Sequence, residues 1–81
     1  MQIIAIYIHT IESVGTTDVE TNSRKLMRML VRDGWMLERV RGDHHTFKHP
    51  RRAELISLTH PRKDLPVGQV RSIYRIAGWK P

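Results

Sequence analysis

Residues 41–50 read Arg41-Gly42-Asp43-His44-His45-Thr46-Phe47-Lys48-His49-Pro50 and hold three of the five histidines. The Gly42-Asp43 pair predicts a tight hairpin turn, because both residue types tolerate the backbone that such turns need. In the strand that follows, successive side chains point to opposite faces of a sheet. Phe47 is the apolar member of this strand, so its face, shared with His45 and His49, is expected to turn toward the core.

The other face of this strand is then left open, and it carries His44, Thr46 and Lys48. A histidine beside a cation on an open sheet face is suited to acid–base work on a phosphate group. The alternative interpretation is that a histidine-rich hairpin on a basic protein is only a solvated edge of the sheet. Composition and spacing leave both interpretations open.

Length and charge limit the classes of protein to which the chain can belong. Its 81 residues suffice for one small domain with one modest core. Fourteen Lys and Arg against eight acidic residues give a net charge of +6, which favours a polyanionic partner, most plausibly a nucleic acid. A membrane surface fits less well, because no basic amphipathic helix with an aromatic apolar face occurs. The lack of cysteine excludes disulfides and thiolate metal sites and is typical of a cytoplasmic protein.

The first twenty residues are predicted to be an extension and linker, followed by one functional domain over residues 21–81. Residues 3–11 form an apolar run that is too short to span a bilayer and lacks the features of a signal peptide. Its β-branched content predicts a strand, which could pair with a sheet edge or with a second copy of the chain in a homodimer. Alternatively, the run is an upstream extension with no role in chemistry. Residues 14–20 are predicted to be a polar linker.

The rest of the chain predicts helix 23–33, strands 35–41, 44–49 and 55–58, and helix 66–77, with a polar turn at 51–54. Asn22 is placed to cap the first helix and Gly34 to end it in a left-handed conformation. Asp64 is placed to cap the second helix, and Gly78 to close it. Val70, Ile73 and Ala77 are expected on the buried side of this helix.

Face assignments complete the predicted architecture. Ile56 and Leu58 are expected to point inward, whereas Leu37 is expected to share a face with Arg39 and Arg41. A meander of three strands with both helices on one face buries one side of the sheet and leaves the other open. The prediction is an α+β fold, an α-β-β-β-α sandwich like that of double-stranded-RNA-binding domains, with an extra N-terminal apolar strand or extension.

Several motifs, taken together and in order, resemble the HicA toxin family. They are Asn22-Ser23-Arg24-Lys25-Leu26, Asp33-Gly34-Trp35, Arg39-Val40-Arg41-Gly42, His44-His45, Phe47-Lys48-His49-Pro50, His60-Pro61-Arg62-Lys63-Asp64-Leu65-Pro66, Gly68 and Ala77-Gly78. The resemblance covers residues 21–79, and its specificity lies in the order and spacing of the motifs, since no single one would suffice.

The resemblance implies a toxin of a type II toxin–antitoxin system. HicA toxins are small ribonucleases with a fold similar to double-stranded-RNA-binding domains; they cleave mRNA and are neutralised by a HicB antitoxin. The catalytic histidine of the family is the first of the His-His pair, which falls on His44. The expected reaction is metal-free, with the ribose 2′-hydroxyl of the RNA as nucleophile, and needs no cofactor. Arg41, Lys48 and Lys63 are the expected RNA-binding residues. The acid that protonates the leaving group stays open among His49, His60, Lys63 and water.

The chain departs from the family pattern at two places. Asp43 stands where the family commonly has Ser; a carboxylate there would favour the imidazolium form of His44 and repel a phosphate, or it would simply orient the ring. The first twenty residues are absent from most members of the family. Two other classes of function stay open: a non-catalytic RNA-binding module, and a metal site built from His44, His45, His49 and His60, for which no completing carboxylate or thiolate pattern occurs.

Overall fold

The computed structural model describes residues 19–80, which form two helices and three strands. The elements are α1 (Ser23–Arg32), β1 (Met36–Arg41), β2 (His44–His49), β3 (Arg52–Thr59) and α2 (Val67–Ala77). The strands form one antiparallel sheet in the order β1-β2-β3, so the histidine-rich strand β2 is its central strand. The predicted α-β-β-β-α architecture, similar to that of double-stranded-RNA-binding domains, is confirmed.

Helix α1 begins at Ser23, as predicted, and ends at Arg32, one residue before the predicted end. The side chain of Asn22 accepts a hydrogen bond from the Lys25 backbone N–H at 3.1 Å, which satisfies one of the free donors of the first turn. Gly34 follows the helix with a φ of +97°, a backbone conformation that glycine adopts without steric cost. Leu26 and Leu30 lie on one stripe of the helix and are fully buried.

The hairpin between β1 and β2 has the predicted tight turn but also an unpredicted bulge. Gly42 has a φ of +61°, and no non-glycine residue in the described part of the chain has a positive φ, as expected for a turn that needs glycine only at its first central position. The register shifts between Leu37 and Arg39, so that Leu37 lies opposite Phe47 and Arg39 opposite Thr46. The prediction that Leu37 shares a face with Arg39 is therefore wrong, because a bulge adds one residue and reverses the alternation.

Strand β3 is longer than predicted. It begins at Arg52, which pairs with His49, so the prediction of a polar turn over residues 51–54 is wrong. The side chains of residues 52–55 are all exposed, and the polar sequence reflects a solvated edge strand. The inward orientation of Ile56 and Leu58 is confirmed, since both are buried.

Helix α2 begins at a different cap from the predicted one. Pro66 occupies the N-cap position and no side chain caps the helix, so the prediction that Asp64 caps it is wrong. The residue before a proline avoids the helical region, so the helix cannot start earlier, and Asp64 lies two positions before the cap. The closing role of Gly78 is confirmed by its left-handed backbone, as is the burial of Val70, Ile73 and Ala77.

The core lies between the two helices and one face of the sheet. Its buried apolar residues are Val19, Leu26, Leu30, Trp35, Phe47, Ile56, Leu58, Leu65, Val70, Ile73, Tyr74 and Ala77. Val19, which the sequence assigns to a polar linker, is only 6% exposed, and the Glu20 backbone N–H donates to the Tyr74 hydroxyl at 3.0 Å. The packed structure thus includes residues before position 21. The strand predicted at residues 3–11 lies outside the described residues. Neither helix of residues 19–80 is long and apolar enough to cross a membrane.

Candidate active site

The face of the sheet that points away from both helices carries His44 with a cation directly opposite. Arg41 pairs with His44 in the β1–β2 ladder, and Arg39 pairs with Thr46. Directly opposed residues of an antiparallel pair share a face, with Cβ atoms about 4.5–5.5 Å apart. His44, Arg41 and Arg39 are all exposed. We call this surface the open sheet face and define it by Arg39, Arg41, His44, Thr46 and Lys48.

Thr46 lies on this face but is not available to a ligand in the way the sequence predicts. It is 8% exposed, and its hydroxyl lies 3.3 Å from the Ser57 hydroxyl on β3. Because β2 is the central strand, side chains of both neighbouring strands cover a small residue there. The expectation of an exposed Thr46 is wrong; its hydroxyl instead links two strands beneath the charged side chains.

Asp43 approaches His44 without enclosing it. Asp43 Oδ1 lies 3.7 Å from His44 Nε2, and the two side chains are 62% and 65% exposed. An ion pair exists here only when the imidazole is protonated, and at this exposure solvent screens most of its energy. The carboxylate therefore orients the ring weakly and opposes an incoming phosphate weakly.

The predicted RNA-binding residues do not all converge on His44. Lys48 is on the same strand four residues away, which corresponds to roughly 13 Å along an extended chain. Lys63 lies in the connection between β3 and α2, beside the start of α1 and away from the open sheet face. Arg39 shares this face with Arg41, as the alternation Arg39-Val40-Arg41 predicts, although it was not among the predicted RNA-binding residues.

His49 has a structural environment. Its Nδ1 accepts a hydrogen bond from the Arg51 backbone N–H at 3.0 Å, and its Nε2 donates to the Asp33 carbonyl oxygen at 3.0 Å. The ring centroid is 5.1 Å from that of Trp35. The predicted orientation of His49 toward the helices is confirmed, and both ring nitrogens are occupied in joining the β2–β3 turn to the end of α1.

His60 and His45 form a second histidine pair on the helix side. Their ring centroids are 5.0 Å apart in an edge-on arrangement, and His60 Nδ1 lies 2.8 Å from the buried hydroxyl of Ser23. Burial lowers the pKa of His60, and electrostatic repulsion from the neighbouring His45 and Arg24 lowers it further. The surroundings of His60 thus favour its neutral form, and His60 lies on the opposite side of the sheet from His44. Sequence reasoning had no signal for the Ser23–His60 contact, because it joins residues 37 positions apart.

The lowered pKa of His60 predicts a specific pH dependence of stability. The unfolded chain takes up this proton near pH 6.5, before the folded protein does, so the free energy of unfolding falls as pH drops below about 6.5 toward the lower folded pKa. In His60→Asn the side-chain oxygen can still accept from Ser23 but does not titrate. We expect the melting temperature of the variant to fall less between pH 7.5 and pH 5.5 than that of the unchanged protein. Identical pH profiles in the two proteins would contradict this assignment.

The histidines of residues 19–80 do not form a metal centre. No three His, Cys, Asp or Glu side chains in this part of the chain lie close enough together to hold a metal ion. His44 lies on the open sheet face, whereas His45, His49 and His60 lie on the helix side. The fold therefore does not bring His44, His45, His49 and His60 together in one metal site.

The fold and this surface define a small basic domain of the double-stranded-RNA-binding type, with a cation-flanked histidine on its uncovered sheet face. The family model described as HicA toxin of bacterial toxin-antitoxin matches residues 23–79. The chain therefore belongs to the HicA toxin family. Membership makes it the toxin component of a toxin–antitoxin system and implies a cognate antitoxin as its partner. No curated protein matches the chain.

Proposed function

We propose that this protein is a metal-independent endoribonuclease that cleaves mRNA in the cytoplasm through His44 and is neutralised by a HicB-type antitoxin. The observation that carries the proposal is the placement of His44, exposed on the open sheet face and directly opposite Arg41. An exposed imidazole can reach a ribose hydroxyl of a bound strand, and a guanidinium beside it can reach the adjacent phosphate.

The reaction uses the RNA's own nucleophile. The neutral imidazole of His44 accepts the proton of the ribose 2′-hydroxyl, whose oxygen attacks the adjacent phosphorus while the bond from phosphorus to the 5′-oxygen breaks. The products are a 2′,3′-cyclic phosphate and a 5′-hydroxyl end. Arg41 stabilises the negative charge that grows on the non-bridging oxygens in the transition state.

The proton for the 5′-oxygen comes from water in this scheme. The two histidines that the sequence offers as acids, His49 and His60, are on the helix side and are engaged with Asp33, Arg51 and Ser23. Lys63 is also remote from this face. Of the four candidates left open by the sequence, we therefore assign this role to water.

The remaining cations of this face bind phosphates next to the cleaved one. Arg39 lies two residues from Arg41 on β1, and Lys48 lies at the far end of β2. A strand of RNA laid along the sheet would meet these side chains in succession. A HicB-type antitoxin with an acidic contact surface would cover the same side chains, which would exclude RNA and also accelerate association of the two proteins.

Cleavage without metal and only of RNA is the expected result. The purified protein should cut a long RNA in the presence of EDTA and leave 2′,3′-cyclic phosphate ends. It should bind, but not cut, a 2′-O-methyl RNA of the same sequence, because that strand lacks the nucleophile. Gel analysis and mass spectrometry of the products measure both outcomes. Binding of RNA without any cutting would favour the alternative of a non-catalytic RNA-binding module, and loss of activity in EDTA would contradict the metal-independent reaction.

A further inference from the structure

A second basic surface lies beside the start of α1. It is a groove of about 400 Å³ between α1 and the β3–α2 connection. The helix contributes Arg24, Lys25 and Arg28 to its lining, and the connection contributes Arg62 and Lys63. His60, Pro61, Asn22 and Ser23 form the rest of its lining, which contains no carboxylate. We call this surface the basic groove and define it by Arg24, Lys25, Arg28, Arg62 and Lys63.

Short backbone contacts hold the two sides of the basic groove together. The Ser23 backbone N–H donates to the Arg62 carbonyl oxygen at 2.9 Å, and the Arg62 backbone N–H donates to the Ser23 hydroxyl oxygen at 2.8 Å. The Leu65 backbone N–H donates to the Thr21 carbonyl oxygen at 2.8 Å. Ser23 itself is 1% exposed. These hydrogen bonds hold the backbone on the two sides of the groove together, whereas the cationic side chains stay exposed.

The five cations of the basic groove form no ion pair within residues 19–80, although the Glu20 carboxylate lies beside them and accepts a hydrogen bond from the Asn22 backbone N–H at 3.0 Å. The ion pairs found in this part of the chain are Asp43 with His44 and Glu54 with Arg75, and neither involves the groove. Arg24 also contributes to the lowered pKa of His60 at the edge of the groove. Five like charges that the fold brings together without ion-pair partners repel one another, and a bound polyanion reduces that repulsion.

The helix end is not the source of this attraction, because the Asn22 side chain already occupies the Lys25 backbone N–H. The attraction comes from the side chains of α1 and of the β3–α2 connection.

The basic groove is continuous with the hairpin that carries His44. The His60 backbone N–H donates to the Asp43 carbonyl oxygen at 2.8 Å, so the edge of the groove touches the turn that precedes His44. Thr59, the residue before His60, is the partner of His44 in the β2–β3 ladder. A polyanion that lies over His44 can therefore pass around the end of the sheet and enter the groove. A long RNA fits this path.

We propose that the basic groove binds the phosphodiester backbone of the RNA substrate on one side of the cleaved bond. This inference rests on the proposed ribonuclease function and extends it from the reacting phosphate to the adjoining strand. Lys63, which the sequence groups with Arg41 and Lys48, then contacts RNA several nucleotides away from the phosphate that reacts. The groove supplies affinity for long strands, and the open sheet face supplies the chemistry.

The test removes charge from the groove and, in a matched variant, from elsewhere. The groove variant is Arg24→Gln, Arg28→Gln and Lys63→Gln. The control is Arg51→Gln, Arg71→Gln and Lys80→Gln, which removes the same charge from exposed positions outside the groove.

The probe is a fluorescent single-stranded 2′-O-methyl RNA of twelve nucleotides, which cannot be cleaved. We expect the groove variant to bind it at least about tenfold more weakly. The binding constant should also depend less steeply on salt. The slope of the logarithm of the binding constant against the logarithm of the salt concentration should fall by about 2, because three cations are removed and each single-strand phosphate contact contributes about 0.7. The control should change both values much less.

Substrate length separates this proposal from the catalytic one. The groove variant should cleave dinucleotides as fast as the unchanged protein, because the single phosphate of a dinucleotide is the one that reacts at His44 and none is left for the groove. For a long RNA, KM should rise with kcat retained. Equal weakening in both variants would overturn the proposal in favour of a general charge effect. Unchanged RNA binding with lost antitoxin binding would also overturn it and assign the groove to the antitoxin. If the unchanged protein binds the probe through the groove but cuts no RNA, the groove stands and the ribonuclease function fails.

Discussion

Replacing His44 by alanine is expected to lower the rate of RNA cleavage by about 10²–10⁴-fold, the usual effect of removing a general base. The fold should be unaffected, because the His44 side chain is 65% exposed and lies outside the core. The kcat for a long RNA measures the loss, and a thermal melt followed by circular dichroism measures the fold. Binding of 2′-O-methyl RNA should stay within a few-fold of the unchanged protein, since the basic side chains remain.

Two controls make this result interpretable. Gln69→Ala removes an exposed side chain from α2 and should leave both kcat and the melting temperature unchanged. His49→Gln removes a histidine from the same strand, but one that joins Arg51 and Asp33. It should lower the melting temperature rather than kcat of the folded fraction. Full activity of His44→Ala, or equal loss of kcat in His49→Gln, would contradict the assignment of the base.

The sequence predicts those features of the candidate site that depend only on residues close together in the chain. Gly42 and the alternation after it predict both the turn and the side of the sheet on which His44 lies. Phe47 fixes which face of the strand is buried. The alternation of side chains along β2, together with the turn at Gly42, thus predicts the face of the sheet on which His44, the proposed base, lies.

The parts that the sequence did not predict depend on register and on distant contacts. The bulge near Glu38 moves Leu37 to the core side, and no residue in β1 marks it, since neither Gly nor Pro occurs there. The burial of Thr46 follows from the central position of β2, which is a property of the whole sheet. The residue pattern within a single strand therefore predicts neither the bulge in β1 nor the burial of Thr46.

The grouping of Lys63 with Arg41 and Lys48 has a similar cause. All three are cations in motifs that the HicA resemblance brings together, but a motif does not give distances. The buried hydroxyl of Ser23 draws the β3–α2 connection toward α1 through its hydrogen bonds with Arg62 and His60. That contact places Lys63 in the basic groove and divides the positive charge of the protein between two connected surfaces.

Replacing Trp35 by alanine is expected to destabilise the fold by about 3–5 kcal/mol, the usual cost of removing a large aromatic side chain from a core. Trp35 is 1% exposed, lies in the short connection between α1 and β1 and packs against the ring of His49. Small domains have roughly 5–15 kcal/mol of stability in total, so this loss is a large fraction of it. We expect the melting temperature to fall by more than about 10 °C, since 1 kcal/mol corresponds to roughly 4–8 °C for a domain of this size.

Trp35→Phe is the matched control, because it keeps an aromatic ring against His49 and removes the indole N–H. That N–H is buried, and no group of residues 19–80 accepts a hydrogen bond from it. Its removal relieves an unpaired donor and offsets part of the lost packing, so the phenylalanine variant should lose far less stability than the alanine variant. Urea denaturation of the two variants measures the difference. Equal losses would contradict the prediction, because the phenyl ring would then recover none of the packing energy that the alanine variant loses. In Trp35→Ala the cleavage of RNA should fall only with the folded fraction, whereas in His44→Ala it should fall in a fully folded protein.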